Sequence, residues 1–144
     1  MKLKLLTAVA ALVASVSASA GELDGRALIC IPDFEPRPIG FEFRDGRAIG
    51  WHVVSIESKA EIEEFGPGEK YETTSTSADW WRLGWYLDRK TLRLKYIFRS
   101  KESPAVYKYQ CDVAASLNSF RETLEEARAS FQSELDERRK GNKI

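Results

Sequence analysis

Trp80, Arg82 and Tyr86 form the one pattern in this sequence whose residue types and spacing suggest binding chemistry. Their spacing places all three on one face of a β-strand, because side chains alternate between the two faces. An aromatic–arginine–aromatic stripe suits a sugar, a peptide or a protein partner, since Trp, Tyr and Arg dominate the anchors of interfaces. The alternative is that this stripe is covered by a helix of the same chain. We predict that these three residues bind a ligand.

Catalytic residue types are present but not in patterns that support catalysis. His52 is the only histidine and lies within a strand pattern, and there is no Gly-x-Ser-x-Gly or glycine-rich phosphate loop. Glu61, Glu63 and Glu64 do not have the spacing of a calcium loop, which favours a solvated acidic face. The sequence therefore predicts no enzyme activity, no metal site and no cofactor. An enzyme that uses unrecognised carboxylates is the alternative.

The first twenty residues have the layout of a secretory signal peptide. Lys2 and Lys4 precede an apolar run over residues 5–16, and Ala18 and Ala20 are the small residues that a signal peptidase reads. The run is short for a membrane span, although a retained N-terminal anchor is the alternative. We predict an exported chain, periplasmic or secreted.

The two cysteines, Cys30 and Cys111, follow this segment. An exported protein meets an oxidising compartment, so an even pair of cysteines predicts a disulfide bond. Two free thiols are the alternative. A metal site is disfavoured because there is one histidine and no Cys-x-x-Cys spacing.

Length and charge narrow the class of protein further. Cleavage after Ala20 leaves residues 21–144, a length that suits one domain. That part holds 20 basic and 22 acidic residues, a net charge of −2. A nucleic-acid-binding protein needs a basic surface to neutralise phosphates, so we predict no nucleic-acid partner. No further apolar run is long enough to span a bilayer, and the sequence does not indicate an oligomeric state.

Short segments of alternating polarity predict a mainly β fold. Asp45 and Gly46 form a two-residue hairpin signal, and Asp88 is placed to accept bonds from amides of the loop over residues 88–91. Residues 57–64 are compatible with either a helical turn or an extension of the preceding strand, and residues 66–68 predict a turn. The predicted strands span residues 27–31, 39–43, 48–56, 70–76, 80–87, 92–98 and 106–113.

The arrangement of these strands indicates curvature. A disulfide between Cys30 and Cys111 makes the first and last strands neighbours, which a meander allows only if its sheet curls. The predicted strands over residues 80–87 and 92–98 each direct one alternating set of side chains toward the core. We predict a small antiparallel barrel or a strongly curved meander sheet. The predicted core residues of those two strands are Trp81, Leu83, Trp85, Leu87, Leu92, Leu94, Tyr96 and Phe98.

From about residue 116 onward, the spacing of the apolar residues changes. Apolar residues then recur three and four apart, as in an amphipathic helix whose opposite face is charged. Either Ser116 or Ser119 can cap this helix. We predict one domain in which residues 21–113 are the β part and residues 114–144 a C-terminal helix and tail. The helix packs on its own sheet or, alternatively, pairs with a partner.

Three features give a family resemblance over residues 27–113. They are Cys30, the segment Tyr86-Leu87-Asp88-Arg89-Lys90-Thr91-Leu92, and Cys111. The arrangement resembles a class of small exported bacterial proteins of unknown function, marked by a first-strand Cys, a Tyr-x-Leu-Asp-Arg-x-Thr-Leu hairpin and a last-strand Cys. It is also similar to periplasmic C-type lysozyme inhibitors, which are small disulfide-bonded barrels. This sequence lacks the Ser-Gly-containing loop associated with the inhibitory surface of that family.

We therefore expect a non-enzymatic exported binding protein whose ligand is a protein, a glycan or a small apolar molecule. The alternatives are a structural or partner-binding envelope protein that acts through its C-terminal helix, an enzyme, and a lysozyme-inhibitor-like protein.

Overall fold

The structure is a computed structural model that describes residues 21–80, 84–100 and 102–142. The predicted signal peptide, residues 1–20, lies outside this part of the chain. The fold is mainly β with one C-terminal helix, as predicted. Its elements are β1 (Ala27–Pro32), β2 (Ile39–Arg44), β3 (Arg47–Ile56), β4 (Lys59–Lys70), β5 (Glu72–Thr73), β6 (Ser77–Trp80), β7 (Trp85–Asp88), β8 (Arg93–Phe98), β9 (Ala105–Val113) and α1 (Leu117–Gly141).

All nine strands form one antiparallel sheet in the order β4-β3-β2-β1-β9-β8-β7-β6-β5. Tyr71 alone separates β4 from β5, which form the two edges of the sheet. The edges must therefore lie near each other, and the sheet must curl. No ladder joins β4 to β5 among the described residues, so the sheet is not a closed barrel. The prediction of a strongly curved meander sheet is confirmed.

The curl is also visible in the core on the concave face of the sheet. Four strands lie between β2 and β6, yet the Phe41 and Trp80 rings are 4.9 Å apart between centroids. Phe43 contacts both Trp80 and Tyr71, at 5.6 and 5.0 Å. These aromatic rings are buried and fill one end of the curled sheet.

The junction of β1 and β9 holds the first and last strands together. Cys30 and Cys111 are paired residues in these strands and form a disulfide bond with an S–S distance of 2.03 Å. Both cysteines are fully buried. The predicted disulfide is confirmed.

Local signals explain several of the turns. Asp45 and Gly46 both have positive φ, 53° and 68°, as a two-residue hairpin turn requires. Asp88 Oδ1 accepts hydrogen bonds from the Lys90 and Thr91 amides at 2.8 and 3.0 Å, as predicted. Both alternatives for residues 57–64 are wrong, because the chain turns at residues 57 and 58 and residues 59–70 form a separate strand antiparallel to β3. The predicted turn over residues 66–68 is wrong, because β4 continues through it to Lys70.

The predicted strand over residues 80–87 is also wrong. The chain turns after Trp80 and returns from Trp85, so that Trp80 and Trp85 are paired across β6 and β7. Gly84, with φ 80°, is the one residue of the intervening segment that the structure describes. Directly paired residues of antiparallel strands share a face. Trp80 and Trp85 therefore both face the core, and Tyr86 points to the opposite side.

Helix α1 packs across β1–β4 on the face opposite the aromatic core. Ser116 is its N-cap: its hydroxyl accepts from the Ser119 amide, and the Ser119 hydroxyl accepts from the Ser116 amide, both at 3.0 Å. Phe120, Leu124 and Phe131 are its buried residues. No described helix is long and apolar enough to cross a membrane.

Candidate ligand-binding site

The three residues of the predicted binding stripe do not form a common surface. Trp80 is 1% exposed and packs in the aromatic core. Tyr86 is half-buried on the outer face, where it pairs with Asp79 and Lys95. Arg82 lies outside the described residues. The stripe placed Trp80 and Tyr86 on one face, which is wrong because of the turn between β6 and β7. Ligand binding by these residues stays a prediction.

A pocket of about 320 Å³ opens at the end of the curled sheet away from the filled core. We call it the mouth pocket. Six strands contribute to it, so its shape depends on the curl of the whole sheet. Most of its wall is apolar or aromatic. It is lined by Ile39, His52, Phe65, Gly66, Trp85, Tyr96 and Tyr109.

Tyr109 supplies a polar group inside this apolar wall. Tyr109 is 7% exposed, and its hydroxyl makes no hydrogen bond within the described part of the chain but is not sealed from water. Burial, together with the Glu35 carboxylate, raises the pKa of Tyr109 to about 12. The hydroxyl is therefore protonated at neutral pH and has both a proton to donate and lone pairs to accept. Since Tyr109 lines the pocket, water or another molecule there can be the partner of this hydroxyl.

His52 is the second polar residue of the wall. It pairs with Ile39 in β2 and Glu63 in β4, and its ring lies 5.0 Å from the Phe65 ring. Partial burial lowers the pKa of His52 below its usual 6.5, although the Glu63 carboxylate opposes this shift. The imidazole is neutral at pH 7 and offers one donor and one acceptor.

Phe65 reaches the pocket because residue 50 is a glycine. A Cβ atom at Gly50 would lie 2.4 Å from Cζ of Phe65, so any larger residue would displace the ring. The register of β3 and β4 shifts between Ala48 and Gly50, which adjusts the strand at this point. The ring of Phe65 then contacts Phe41 at 5.6 Å and Trp85 at 6.2 Å. Gly50 thus positions one wall of the pocket.

Aromatic rings continue from the pocket to its outer edge. Phe34 is 59% exposed and contacts Tyr107 and Tyr109 at 5.5 and 6.0 Å. Tyr96 stacks between Trp85 and Tyr107, at 4.5 and 6.1 Å. We call the exposed residues Phe34, Phe98 and Tyr107 the aromatic rim. The prediction that Phe98 lies in the core is wrong, because this side chain is 49% exposed.

The mouth pocket combines apolar and aromatic side chains with a few groups that can form hydrogen bonds. Its lining holds one imidazole and two tyrosine hydroxyls, but no carboxylate, thiol or amine among the described residues. No three His, Cys, Asp or Glu side chains cluster as metal ligands in the part of the chain that the structure describes. An apolar cavity with a few convergent polar groups is typical of small-molecule sites.

Comparison with known protein families, curated proteins and solved structures finds no match. The resemblances based on the cysteines and on the hairpin over residues 86–92 therefore stay predictions.

Proposed function

We propose that this is an exported, non-enzymatic binding protein whose mouth pocket holds a small, mostly apolar molecule with a hydrogen-bonding group. The observation that carries this proposal is the hydroxyl of Tyr109, a pocket-lining residue, which has no hydrogen-bond partner among the described residues and stays accessible to a molecule in the pocket. The pocket volume of about 320 Å³ lies at the lower end of the range for ligand sites. Export is supported by the signal-like segment and by the buried disulfide.

The neutral ring of His52 supports an uncharged ligand. Neither His52 nor Tyr109 carries a charge at pH 7, so a charged ligand would lose its contact with water and find no counter-ion in these two groups. The aromatic side chains of Trp85, Tyr96 and Phe65 favour a flat or ring-shaped body, which can make close contacts with their rings.

The test uses p-cresol and toluene, two probes that differ by one hydroxyl. We expect p-cresol to shift the NMR resonances of Tyr109 and His52 saturably and to quench the fluorescence of Trp85. Tyr109→Phe should weaken p-cresol binding by about twofold to tenfold, the value of one neutral hydrogen bond. Toluene binding should not change.

Tyr86→Phe is the matched control, because it removes a tyrosine hydroxyl from the outer face of β7, away from the pocket lining. It should leave the binding of both probes unchanged. The proposal is overturned if neither probe shifts the mouth-pocket resonances, or if Tyr109→Phe and Tyr86→Phe affect p-cresol equally.

The aromatic rim supports a second candidate, the binding of a glycan or a protein. Phe34, Phe98 and Tyr107 are exposed aromatic side chains on one edge, and such residues anchor interfaces. Phe34→Ser would weaken binding of a larger partner while leaving p-cresol binding intact. Partner binding through α1 has less support, since the sheet covers its buried apolar residues.

A further inference from the structure

A second cavity, of about 450 Å³, lies between α1 and the outer face of β2–β4. We call it the helix–sheet groove. It is separate from the mouth pocket, because side chains of these strands alternate between the concave face and the helix-covered face. Apolar side chains and charged side chains both contribute to its wall. The lining residues are Glu42, Arg44, Trp51, Ile62, Glu64, Phe120, Arg121, Leu124 and Glu125.

Glu42 is the unusual residue of this groove. It is 5% exposed, yet its carboxylate accepts no hydrogen bond from any residue that the structure describes. The nearest cation is Nη1 of Arg44, at 3.8 Å from Oε1 of Glu42, which is too long for a hydrogen bond. The Arg44 side chain is itself mostly exposed. The Glu42 side chain is mostly buried, but its carboxylate oxygens are not sealed from water, and the described residues give them only the loose ion pair with Arg44. A ligand that donates directly to this carboxylate would replace water there.

The other charged side chains that line the groove do not donate to the Glu42 carboxylate. Glu125 is occupied by Arg128, whose Nε donates to its carboxylate at 2.7 Å. Glu64 and Arg121 are exposed at the rim. Next to Glu42 the wall is apolar, because Trp51 and Ile62 belong with Phe120 and Leu124 to one packed cluster. The groove therefore presents one buried carboxylate beside an apolar surface.

We propose that the helix–sheet groove binds a small organic amine. Its ammonium group donates to the Glu42 carboxylate, and its apolar stem packs against Trp51 and Leu124. A charge-assisted hydrogen bond of this kind is roughly twice as strong as a neutral one. The ligand supplies the donor that the chain does not, and the groove has the volume of a small-molecule site.

The experiment compares benzylammonium with benzyl alcohol, which has nearly the same shape without the charge. Each is titrated into the full chain labelled with ¹⁵N, and the amide resonances of Glu42 and Leu124 and the indole N–H of Trp51 report on the groove. We expect benzylammonium to shift these resonances saturably. Benzyl alcohol should bind about tenfold or more weakly, because its hydroxyl can donate to the carboxylate but carries no positive charge.

Glu42→Gln keeps the size of the side chain and removes its charge, so it should bring the two probes to similar affinity. Glu61→Gln is the matched control, because Glu61 is an exposed carboxylate of β4 that does not line the groove. It should leave benzylammonium binding unchanged. The comparison of the two probes on the unaltered chain needs no variant, so it decides the question even if Glu42→Gln fails to fold.

Three results would overturn the proposal. One is equal binding of benzylammonium and benzyl alcohol, and another is the absence of shifts at the groove up to the solubility limit of the amine. The third is tighter binding of a Gly-Lys-Gly peptide than of benzylammonium, which would assign the groove to a lysine of a partner protein. The mouth pocket is tested with uncharged probes, so either proposal can fail alone.

Discussion

Trp80 is the residue whose role differs most from its place in the predicted stripe. Its ring packs against Phe41 and Phe43 from the far side of the curled sheet. Its indole nitrogen is buried and has no hydrogen-bond partner among the described residues. The side chain therefore gains stability from ring contacts, and its N–H group reduces that gain.

Trp80→Ala should lower the free energy of unfolding by about 3–5 kcal/mol, the usual cost of truncating a buried aromatic residue. Trp80→Phe should cost clearly less, because it keeps part of the ring contacts and removes the unpartnered N–H. Tyr86→Ala is the comparison on the outer face and should cost least. Urea unfolding followed by circular dichroism measures all three. A similar cost for Trp80→Ala and Tyr86→Ala would contradict the burial of Trp80.

His52 makes stability depend on pH. Burial lowers its pKa in the folded state below 6.5, while the unfolded chain keeps the usual value. Between these two values the unfolded chain binds more protons, so stability should fall as the pH is lowered through about 6.5 and should level off below the folded pKa. The lowered carboxyl pKa values of Glu22, Asp33 and Asp88 act only in a more acidic range.

The check is a series of urea unfolding curves between pH 5 and pH 8. His52→Asn, which has no titrating ring, should remove the fall in stability near pH 6.5. If the variant keeps the same fall, another group is responsible for it.

At the scale of elements, Gly40 sets how closely α1 approaches the sheet. A Cβ atom at this position would lie 2.6 Å from Cε2 of Phe120, whose ring is buried. Gly40→Ala should therefore overpack the contact and destabilise the fold by about 1–3 kcal/mol. Gly141→Ala, where nothing lies within 4 Å of the added atom, should not destabilise it. Thermal unfolding measures both.

A double variant identifies the cause of the Gly40→Ala effect. Phe120→Leu shortens the side chain that the new methyl group meets. The loss of stability caused by Phe120→Leu should therefore be smaller in the Gly40→Ala background than in the parent chain. Strictly additive costs would show that the two residues do not interact and would contradict this account of the docking.

Elements with local signals were predictable from the sequence. The helix follows from its apolar stripe, and the turns at Asp45 and Asp88 follow from side-chain and backbone preferences. The turn between Trp80 and Trp85 was missed because the alternation of polar and apolar residues continues through it. β4 was left open because its charged residues alternate with few apolar ones.

The candidate sites needed more than local signals. Tyr96 was predicted to lie in the core, but its place beside Tyr109 at the open end depends on how the strands stagger and curl. The unpartnered carboxylate of Glu42 depends on where α1 docks. Such contacts join residues far apart in the chain, and periodicity contains no information about them.

At the scale of the whole molecule, the curled sheet depends on two long-range connections. Tyr71 joins the edge strands β4 and β5, and its hydroxyl donates to Asp24 and accepts from the Leu23 amide, at 2.8 and 2.9 Å. The Cys30–Cys111 disulfide holds the pairing of β1 with β9, which unites the meander β1–β4 with the meander β5–β9. The mouth pocket is built from both meanders, so its shape depends on this pairing.

Removal of the disulfide should therefore affect both stability and the pocket. Cys30→Ala with Cys111→Ala frees a loop of 81 residues in the unfolded chain. The chain-entropy relation gives a loss of roughly 4–5 kcal/mol in the free energy of unfolding. Urea unfolding of the double variant, compared with the oxidised parent chain, measures this loss, the reduced parent chain is the control for the two alanine substitutions, and p-cresol titration measures the pocket. Stability within about 1 kcal/mol of the oxidised parent would show that β1 and β9 stay paired without the covalent bond, because their ladder and the buried core would then be sufficient.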